Sequence, residues 1–512
     1  MKKLLTKLAV CGLAATAALS FAACGAKADF DGYYDAAAPG GAPYFENAGG
    51  AGSADDAEGG DNYVYDKIVE QGFKNVADEA SSYFSLDRNT ASYSQVRSQI
   101  NYGRTISPSS VRIEELINYF DYDFEAPTEK AVGVSAYLSE CPWNEAHKLM
   151  LAGIKTVEKK TDSVNGNYVF LIDVSGSMGW DDSRLGLAKK GLNKLVDNLG
   201  DGDKVSIVTY ASGVKTVLDG GVCSESGKAA IKSKINGLKT GGGTYGSAGL
   251  EIAYTIAEKN YISGGNNRVI IISDGDFNVG ISNKDTMMEY ISGKAQSGVY
   301  LSVLGVGMGN MRDDMLETLA KNGNGNYAYL DNETEAEKVL CHELNGMLMT
   351  VAKDAKAGVT FNEETVVKYR LIGYDTKLIS EDQFNDNTTD AGEIGSNLCV
   401  AALYEVELTE NAEGTLANIE VRYKDVTGEN EFDESVTVEV NTATPSCNDL
   451  SFIACVAEFG LVLRQSKYAE NANLYSVLER LNGLTTYVSA DPYRSEFVTL
   501  VGKASELYDR DF

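Results

Sequence analysis

The chain has 512 residues, of which 43% are hydrophobic and 23% are charged, a composition typical of folded globular proteins. This length exceeds what one hydrophobic core can hold and predicts roughly two to four domains. The formal net charge is −29, from 74 acidic and 45 basic side chains. Such a charge repels phosphate backbones and anionic lipid surfaces, which argues against nucleic acid as a partner.

Residues 1–23 have the features of a lipoprotein signal peptide. MKKLLTK is cationic, and the apolar run after it ends in small residues and is too short to cross a membrane comfortably. The run ends in FAAC-G, which looks like a bacterial lipobox and predicts Cys24 as a lipidated, palmitate-bearing residue. The alternative is ordinary cleavage after Ala23. Lipidation predicts a protein on the cell membrane that faces outside the cytoplasm, with the lipid as its only membrane contact.

Two further stretches precede the main alternating pattern. Residues 24–62 are rich in Gly, Ala and Asp without a hydrophobic period, which predicts a disordered tether. Residues 63–166 predict an N-terminal helical region plus two strands. In SPSSVRIEELINYF the spacing predicts a helix capped by Ser110, and AVGVSAYL and HKLMLAGIKTV are typical of strands.

Residues 167–352 predict an α/β domain. The apolar runs YVFLID, KVSIVTYA, RVIIISD and VYLSVLGVG are each followed by an amphipathic stretch. Near-continuous apolar strands that alternate with helices indicate a doubly wound, mostly parallel, Rossmann-like sheet covered on both faces. In such folds ligands bind beyond the carboxyl ends of the strands, where the strand order reverses.

The remainder of the chain predicts two smaller parts. Residues 353–445 are β-rich, and the period of two from Leu398 to Leu408 predicts a half-buried antiparallel sheet in a sandwich-like domain. The two strands before Asn167 would suit the same sandwich, which makes the α/β domain an insertion in it. Residues 446–512, beginning with a helical stripe in LSFIACVAEFGLVLRQ, predict a C-terminal helical region.

The stretch LIDVSGSMGW places oxygen-bearing side chains at the end of a buried strand. A stride of two in an extended turn directs Asp173, Ser175 and Ser177 the same way. Carboxylate and hydroxyl oxygens are hard ligands that suit Mg²⁺, Mn²⁺ or Ca²⁺. A polar turn without a metal is the plainer interpretation, because Asp and Ser favour turns.

A divalent ion takes about six ligands, so further oxygens are expected from neighbouring strand ends. IIISDGD puts Asp274 at the end of another apolar strand, and TGGGTYGS places Thr244 in a glycine-rich loop just before a helix. Asp276 lies two residues further on, where a solvated loop acid is the preferred interpretation. The predicted metal ligands are therefore Asp173, Ser175, Ser177, Thr244 and Asp274.

The order and spacing of DVSGS, GGGT and ISDGD resemble the metal-ion-dependent adhesion site (MIDAS) of von Willebrand factor type A (VWA) domains. The resemblance implies that Ser175, Ser177 and Thr244 bind the ion and that Asp173 and Asp274 bind it directly or through water. It also implies an open coordination position, often filled by a carboxylate of the partner.

The resemblance extends over nearly all of the chain after the tether. The segments SYSQVRSQINYG, VRIEELINYFDYDF, CPWNEAHKLMLAGIK, RLIGYD, QFNDNTTDAGEIG and ALYEVEL are similar to the bacterial YfbK-like proteins. Membership of that family implies a helical amino-terminal region, a central type A domain and a distinct carboxyl-terminal region.

Together these features predict a membrane-anchored adhesion or scaffold protein that recognises its partner through a divalent cation, most simply Mg²⁺. The expected partner is an envelope or extracellular protein that presents a carboxylate. The chain is not expected to be an enzyme, since the site offers no general base, no paired nucleophile and no nearby basic residue, and the chain has only 2 His. A metal-dependent hydrolase, and a scaffold in which the metal only stabilises the fold, are the alternatives.

The cysteines add one constraint. The six that follow Cys24 are scattered without a CxxC pair, which argues against a zinc or iron–sulfur site and leaves disulfides and buried thiols both open. Cys341, although adjacent to His342, is expected to be a core thiol. GVGMGN, residues 305–310, follows a strand but does not have the GxGxxG spacing of a dinucleotide site, and is expected to be a turn.

Overall fold

The fold is taken from a computed structural model, which describes residues 68–86, 88–158, 165–182, 184–243, 246–275, 284–307, 313–343, 350–389, 391–425, 434–469 and 471–508. All of these residues belong to one compact unit. The predicted signal peptide, Cys24 and the predicted tether lie outside the described residues. None of the described helices combines the length and apolarity that a membrane crossing requires.

The strands are β1 Lys74–Asn75, β2 Ser81–Ser85, β3 Val132–Glu140, β4 His147–Thr156, β5 Gly166–Asp173, β6 Lys204–Tyr210, β7 Val214–Val222, β8 Asn266–Ser273, β9 Val299–Val306, β10 Tyr327–Leu330, β11 Thr350–Phe361, β12 Val366–Ile372, β13 Gly392–Gly395, β14 Cys399–Leu408, β15 Thr415–Asp425 and β16 Glu434–Asn441. The α-helices are α1 Ala91–Asn101, α2 Ile113–Ile117, α3 Arg184–Asn198, α4 Glu225–Asn236, α5 Gly246–Lys259, α6 Lys284–Gln296, α7 Asp313–Asn322, α8 Glu333–Glu337, α9 Glu381–Asn385, α10 Asn448–Arg464, α11 Leu474–Gly483, α12 Thr485–Ser489 and α13 Pro492–Tyr508.

A six-stranded sheet in the order β10-β9-β8-β5-β6-β7 forms the centre of the chain, and only its edge strand β7 is antiparallel to its neighbour. Both faces of β5 are buried. Phe170 and Ile172 pack with residues of α3 and α4, whereas Val169 and Leu171 pack with residues of α5, α6 and α7. Helices on both faces explain why these strands read as continuous apolar runs. The predicted α/β, doubly wound, mostly parallel sheet is confirmed.

Two antiparallel sheets form the predicted sandwich. One has the order β1-β12-β14-β4-β3 and the other the order β13-β11-β15-β16, with β2 paired to β11. Apolar side chains of both sheets share one core, as Met150 and Tyr404 of the first do with Val359 and Ile419 of the second. Because β14 pairs with β4, strands from before and after the six-stranded sheet join in one sheet. The expectation that the two strands before Asn167 belong to the sandwich is confirmed.

The prediction that β14 is half-buried is wrong. Its even-numbered residues from Val400 to Val406 face the sandwich core, but Cys399, Ala401 and Leu403 are also buried, in a second core that contains residues of α2 and α10. From the sequence, the small and apolar residues on the second face were expected to be exposed to solvent. The helices that cover this face come from distant parts of the chain.

The predicted cap of helix α2 is also wrong. Ser110 ends a short 3₁₀ turn, Pro108–Ser110, in which its hydroxyl donates to the carbonyl of Ser107 (2.8 Å). Helix α2 begins at Ile113, and its first turn is stabilised without a capping side chain. Ser110 lies two residues before Arg112, which occupies the N-cap position, so Ser110 is too early in the chain to cap this helix.

Candidate metal centre

The candidate site lies where the strand order of the six-stranded sheet reverses. Strand β5 is followed in the chain by β6 on one side of it, and β8 pairs with β5 on the other side. Ile172 lies beside Ile272, so the carboxyl ends of β5 and β8 are adjacent. Asp173 is the last residue of β5, and Asp274 directly follows β8. The parallel register therefore brings two carboxylates from distant sequence positions to one edge of the sheet.

The turn after β5 is organised by the Asp173 carboxylate. Its Oδ1 accepts a hydrogen bond from the backbone N–H of Ser175 (2.7 Å). The hydroxyl oxygens of Ser175 and Ser177 lie 3.0 Å apart, within hydrogen-bonding distance of each other. Asp173 and Ser175 are buried and Ser177 is half-buried. The three side chains predicted from the stride of two thus lie in one short turn, which continues into a 3₁₀ helix, Gly176–Asp182.

A glycine-rich loop packs directly on this turn. The N–H of Gly241 donates to Val174 O (2.8 Å), and the N–H of Gly176 donates to Gly242 O (3.1 Å). Gly242 has φ +91°, and a Cβ there would lie 2.5 Å from the Ser212 hydroxyl, so only glycine fits this position. Thr244, the predicted ligand that follows this loop, lies outside the described residues.

The two carboxylate oxygens of Asp274 have different hydrogen-bonding environments. Oδ2 accepts a hydrogen bond from Arg184 Nη1 (2.7 Å), in an ion pair whose side chains are 7% and 1% exposed. Oδ1 is buried and has no hydrogen-bond partner among the described residues. The neighbouring Ser273 hydroxyl donates to Asp173 Oδ2 (3.4 Å), which connects the two strand ends. Asp276 lies outside the described residues.

The surroundings of Asp173 disfavour its ionised form. Burial raises the pKa of Asp173 to about 6, and the nearby charge of Asp274 raises it as well, while hydrogen bonds from Ser175 oppose the shift. Burial, and then the charge of Asp173, raise the pKa of the Tyr210 hydroxyl well above its usual value. A cation at this position would lower the pKa of both groups, because a nearby positive charge favours the ionised form of each.

The donor set fits a hard divalent cation. Asp173, Ser175, Ser177 and Asp274 supply carboxylate and hydroxyl oxygens, the ligand types that Mg²⁺, Mn²⁺ and Ca²⁺ prefer. A buried carboxylate oxygen without a partner, such as Asp274 Oδ1, calls for an explanation such as an ion or water. These residues therefore could hold a metal ion, with Asp274 Oδ1 as the oxygen still to be satisfied.

Arg184 was missed in the sequence, and the statement that no basic residue lies nearby is wrong. Arg184 opens helix α3, the first α-helix after the Asp173 turn, and its Nη1 also donates to Ser177 O (3.3 Å). The first turn of the helix that follows a parallel strand lies at the same edge of the sheet as the strand's carboxyl end. That rule was the available signal, because Arg184 is the first residue of the amphipathic stretch after LIDVSGSMGW.

Two other features were singled out in the sequence, Cys341 and the stretch 305–310. Cys341 is buried in a π-helical turn, Lys338–Glu343, and burial raises the pKa of its thiol, so the predicted core thiol is confirmed. The described cysteines form no disulfide with one another, and all but the half-buried Cys447 are buried. In the stretch 305–310, Gly305 is within β9 and Gly307 follows it, while residues 308–310 lie outside the described residues.

Family models match separate parts of the chain. Residues 60–151 match the model described as "von Willebrand factor", and residues 168–276 match "von Willebrand factor type A domain". Residues 346–507 match "Uncharacterized protein YfbK, C-terminal". The second match spans the six-stranded sheet from β5 to β8, and all five predicted ligand positions fall within it.

Whole-chain comparison gives a longer match. YfbK of Escherichia coli (strain K12) is 36% identical over 478 residues, which cover 87% of this chain and 81% of YfbK. Among solved structures, a von Willebrand factor type A protein from Catenulispora acidiphila is 15% identical, with a TM-score of 0.40 over 72% of this chain and 88% of that one. The ArnB paralog VWA2 from Sulfolobus acidocaldarius is 14% identical, with a TM-score of 0.34 over 74% and 97%. From its identity to YfbK, the chain belongs to the YfbK family, with a von Willebrand factor type A domain at its centre.

Proposed function

We propose that this protein is a protein-interaction module at the cell envelope that recognises its partner through a divalent cation, most simply Mg²⁺, with Mn²⁺ or Ca²⁺ as substitutes. The observation that carries the proposal is the meeting of Asp173, Ser175, Ser177 and Asp274 at the switch point, with Asp274 Oδ1 buried and without a partner among the described residues. Membership of a family with a VWA domain supports an interaction role of this kind.

Each residue of the site would have a separate role in binding the ion. A bound divalent cation would supply an electrophilic position for an oxygen ligand of the partner. Asp173 orders the turn through the Ser175 amide and contributes charge, and the Ser175 and Ser177 hydroxyls contribute neutral oxygens. Thr244 is proposed as a further ligand from the type A resemblance. A carboxylate is the partner group that such a site favours, because it is a hard anionic oxygen donor.

We propose no catalytic residue. Arg184 is a basic side chain at this edge, and its guanidinium is engaged by Asp274 and by the carbonyl of Ser177. Among the described residues beside the four oxygen ligands, we assign none as a general base or a nucleophile. Anchoring through a lipid on Cys24, and a location on the outer side of the cell membrane, are part of the same proposal and are supported by the signal-like residues 1–23.

The proposed binding of a divalent cation is tested with purified protein, Mg²⁺ and a chelator. At a Mg²⁺ concentration near one hundred times its Kd, the free energy of unfolding should rise by about 2.7 kcal/mol, because the ion binds only the folded state. Asp173→Asn should abolish this rise. Asp219→Asn is the matched control, since it removes an exposed carboxylate from β7 of the same sheet, where its described partners are Lys259 and Asn260. A rise that persists in Asp173→Asn would contradict the proposed ligand set.

The proposed metal-dependent binding of a partner is tested by capturing proteins from envelope extracts of the source cells, with Mg²⁺ or with chelator. A partner retained by the wild type with Mg²⁺, and lost with chelator and with Asp173→Asn, is the expected result. Equal capture in all conditions, together with a Mg²⁺-dependent rise in stability, would instead support a scaffold in which the ion only stabilises the fold. Turnover of phosphate esters that requires Mg²⁺ and Asp173 would support the hydrolase alternative.

A further inference from the structure

Arg184 lies at the meeting point of three strand ends. Its Nη1 donates to Ser177 O, in the turn after β5, and to Asp274 Oδ2, after β8. After β9, Gly307 passes so close that a Cβ there would lie 2.2 Å from Arg184 Nε. The guanidinium is therefore enclosed by the segments that follow β5, β8 and β9, of which the first two present candidate ligands, and its side chain is only 7% exposed.

The ion pair leaves the two oxygens of Asp274 in different roles. Oδ2 is held by Arg184, whereas Oδ1 is buried without a partner among the described residues. Arg184 thus neutralises the charge of Asp274 and still leaves one of its oxygens available to a ligand or water. A buried ion pair is screened less than an exposed one, so the positive charge of Arg184 acts more strongly inside the site than it would at the surface.

The net charge of the site determines how strongly it holds a cation and how strongly the loaded site attracts an anion. Asp173, Asp274 and Arg184 together carry one net negative charge, and the serine hydroxyls carry none. A divalent cation would bring the site to one net positive charge. Without Arg184 the same site would be neutral when loaded. An anionic group of the partner would then gain much less from completing the coordination.

We propose that Arg184 is a charge-setting residue of this centre: by neutralising Asp274 it weakens the hold on the cation and keeps the loaded site positive, so that an anion completes it. This inference rests on the proposed metal-dependent function. It adds a residue outside the predicted ligand set and states why a carboxylate, rather than a neutral carbonyl or hydroxyl, is the group recognised.

The test uses the whole protein, Mn²⁺ as the ion and acetate as the carboxylate probe. Free Mn²⁺ is followed by electron paramagnetic resonance in chloride and in acetate at matched ionic strength. Arg184→Met should bind Mn²⁺ roughly tenfold more tightly than the wild type in chloride, because a repelling charge is removed. Acetate should tighten Mn²⁺ binding in the wild type, and this gain should largely disappear in Arg184→Met, since ion and anion binding are linked reciprocally.

Two further variants separate charge from shape. Arg184→Lys keeps the charge and should retain both the wild-type Mn²⁺ affinity and the acetate effect. Lys190→Met removes a positive charge from the exposed face of the same helix, where its side chain is 61% exposed, and should change neither. If Arg184→Met does not fold, Arg184→Met combined with Asp274→Asn restores the wild-type net charge, and it should keep the acetate effect despite weaker Mn²⁺ binding.

The results that overturn the inference are distinct from those that overturn the metal centre. If the wild type binds Mn²⁺ but Arg184→Met binds it no more tightly, or if Arg184→Lys behaves like Arg184→Met, Arg184 does not set the charge. Loss of the acetate effect in the double variant would have the same meaning. If the wild type and the Lys190→Met control both fail to bind Mn²⁺, the proposed metal-dependent function itself has failed.

Discussion

Gly307 and Arg184 are in contact at the edge of the six-stranded sheet. Gly307 has φ +89°, a conformation that L-residues rarely adopt, and its carbonyl accepts a hydrogen bond from the Tyr329 hydroxyl. The position that a Cβ would take is already occupied by Arg184 Nε and Cδ, at 2.2 and 2.4 Å. A glycine is required here by both the backbone and the neighbouring side chain.

Gly307→Ala should therefore lower the free energy of unfolding by about 1–3 kcal/mol, because it combines backbone strain with displacement of Arg184. Chemical denaturation measures the change. Gly293→Ala is the control: Gly293 lies within α6 with nothing within 4 Å of its Cβ position, so this substitution should be neutral or slightly stabilising. Equal effects of the two substitutions would show that the contact with Arg184 has no energetic consequence.

In helix α2 and strand β14, tertiary contacts bury residues that the sequence pattern predicted to be exposed. In α2 the acidic residues Glu114 and Glu115 follow the helix start, a position typical of solvated acids that complement the helix dipole. The structure buries both, at 2% and 1% exposure. Glu115 accepts a hydrogen bond from the Ser92 amide (2.8 Å) and lies 3.8 Å from Arg112 Nη1.

The buried Glu115 predicts a dependence of stability on pH. Burial raises its pKa to about 8; the charges of Glu317 and Glu114 add to the shift, and those of Arg112 and Lys377 oppose it. In the unfolded chain the pKa is about 4.3. The folded state therefore holds the proton more tightly between these values, so the contribution of Glu115 to stability is full below the unfolded pKa and falls as the pH rises toward about 8.

The measurement is urea denaturation of the wild type and Glu115→Gln at pH values near 6 and near 8. The wild type should lose on the order of 1–2 kcal/mol relative to Glu115→Gln over this interval, because the amide cannot ionise. Glu79→Gln, which alters an exposed carboxylate paired with Lys74, is the control and should follow the wild type. Parallel pH profiles for wild type and Glu115→Gln would contradict the buried, protonated carboxyl.

Across the whole molecule, a buried charge cluster joins the six-stranded sheet to the helices that flank the sandwich. Arg97 of α1 donates to Asp331 after β10 (2.5 Å), to Glu335 of α8 (2.8 Å) and to Glu496 of α13 (3.0 Å). The side chains of Arg97, Asp331 and Glu335 are at most 4% exposed. Segments from both ends of the described chain and from its centre therefore depend on one guanidinium.

Arg97→Met should lower the free energy of unfolding by about 3–5 kcal/mol, because it leaves two buried carboxylates without their cation. Lys190→Met is the comparison: the pair of Lys190 with Glu333 is 61% and 53% exposed, and its loss should cost at most about 1 kcal/mol. Denaturation followed by circular dichroism measures both. A small effect of Arg97→Met would mean that the central sheet is not energetically joined to the helical parts through this cluster.

The sequence by itself determined the features that depend on local order along the chain. Alternating apolar runs and amphipathic stretches predicted the doubly wound sheet, because strands covered on both faces must be apolar throughout. The same local order placed Asp173, Ser175 and Ser177 at a strand end and Asp274 at another, where parallel strands bring their carboxyl ends to one edge. The sequence also predicted that the two strands before Asn167 would suit the later sandwich.

Only the tertiary structure decided the features that depend on contacts between distant segments. The second buried face of β14, the burial of Glu115 and the three carboxylate partners of Arg97 depend on segments far away in the chain. Arg184 is close to Asp173 in the chain, but its ion pair with Asp274 joins it to a distant segment. Periodicity shows which residues prefer burial, but it does not show which segment covers them, because that depends on the folded arrangement of the whole chain.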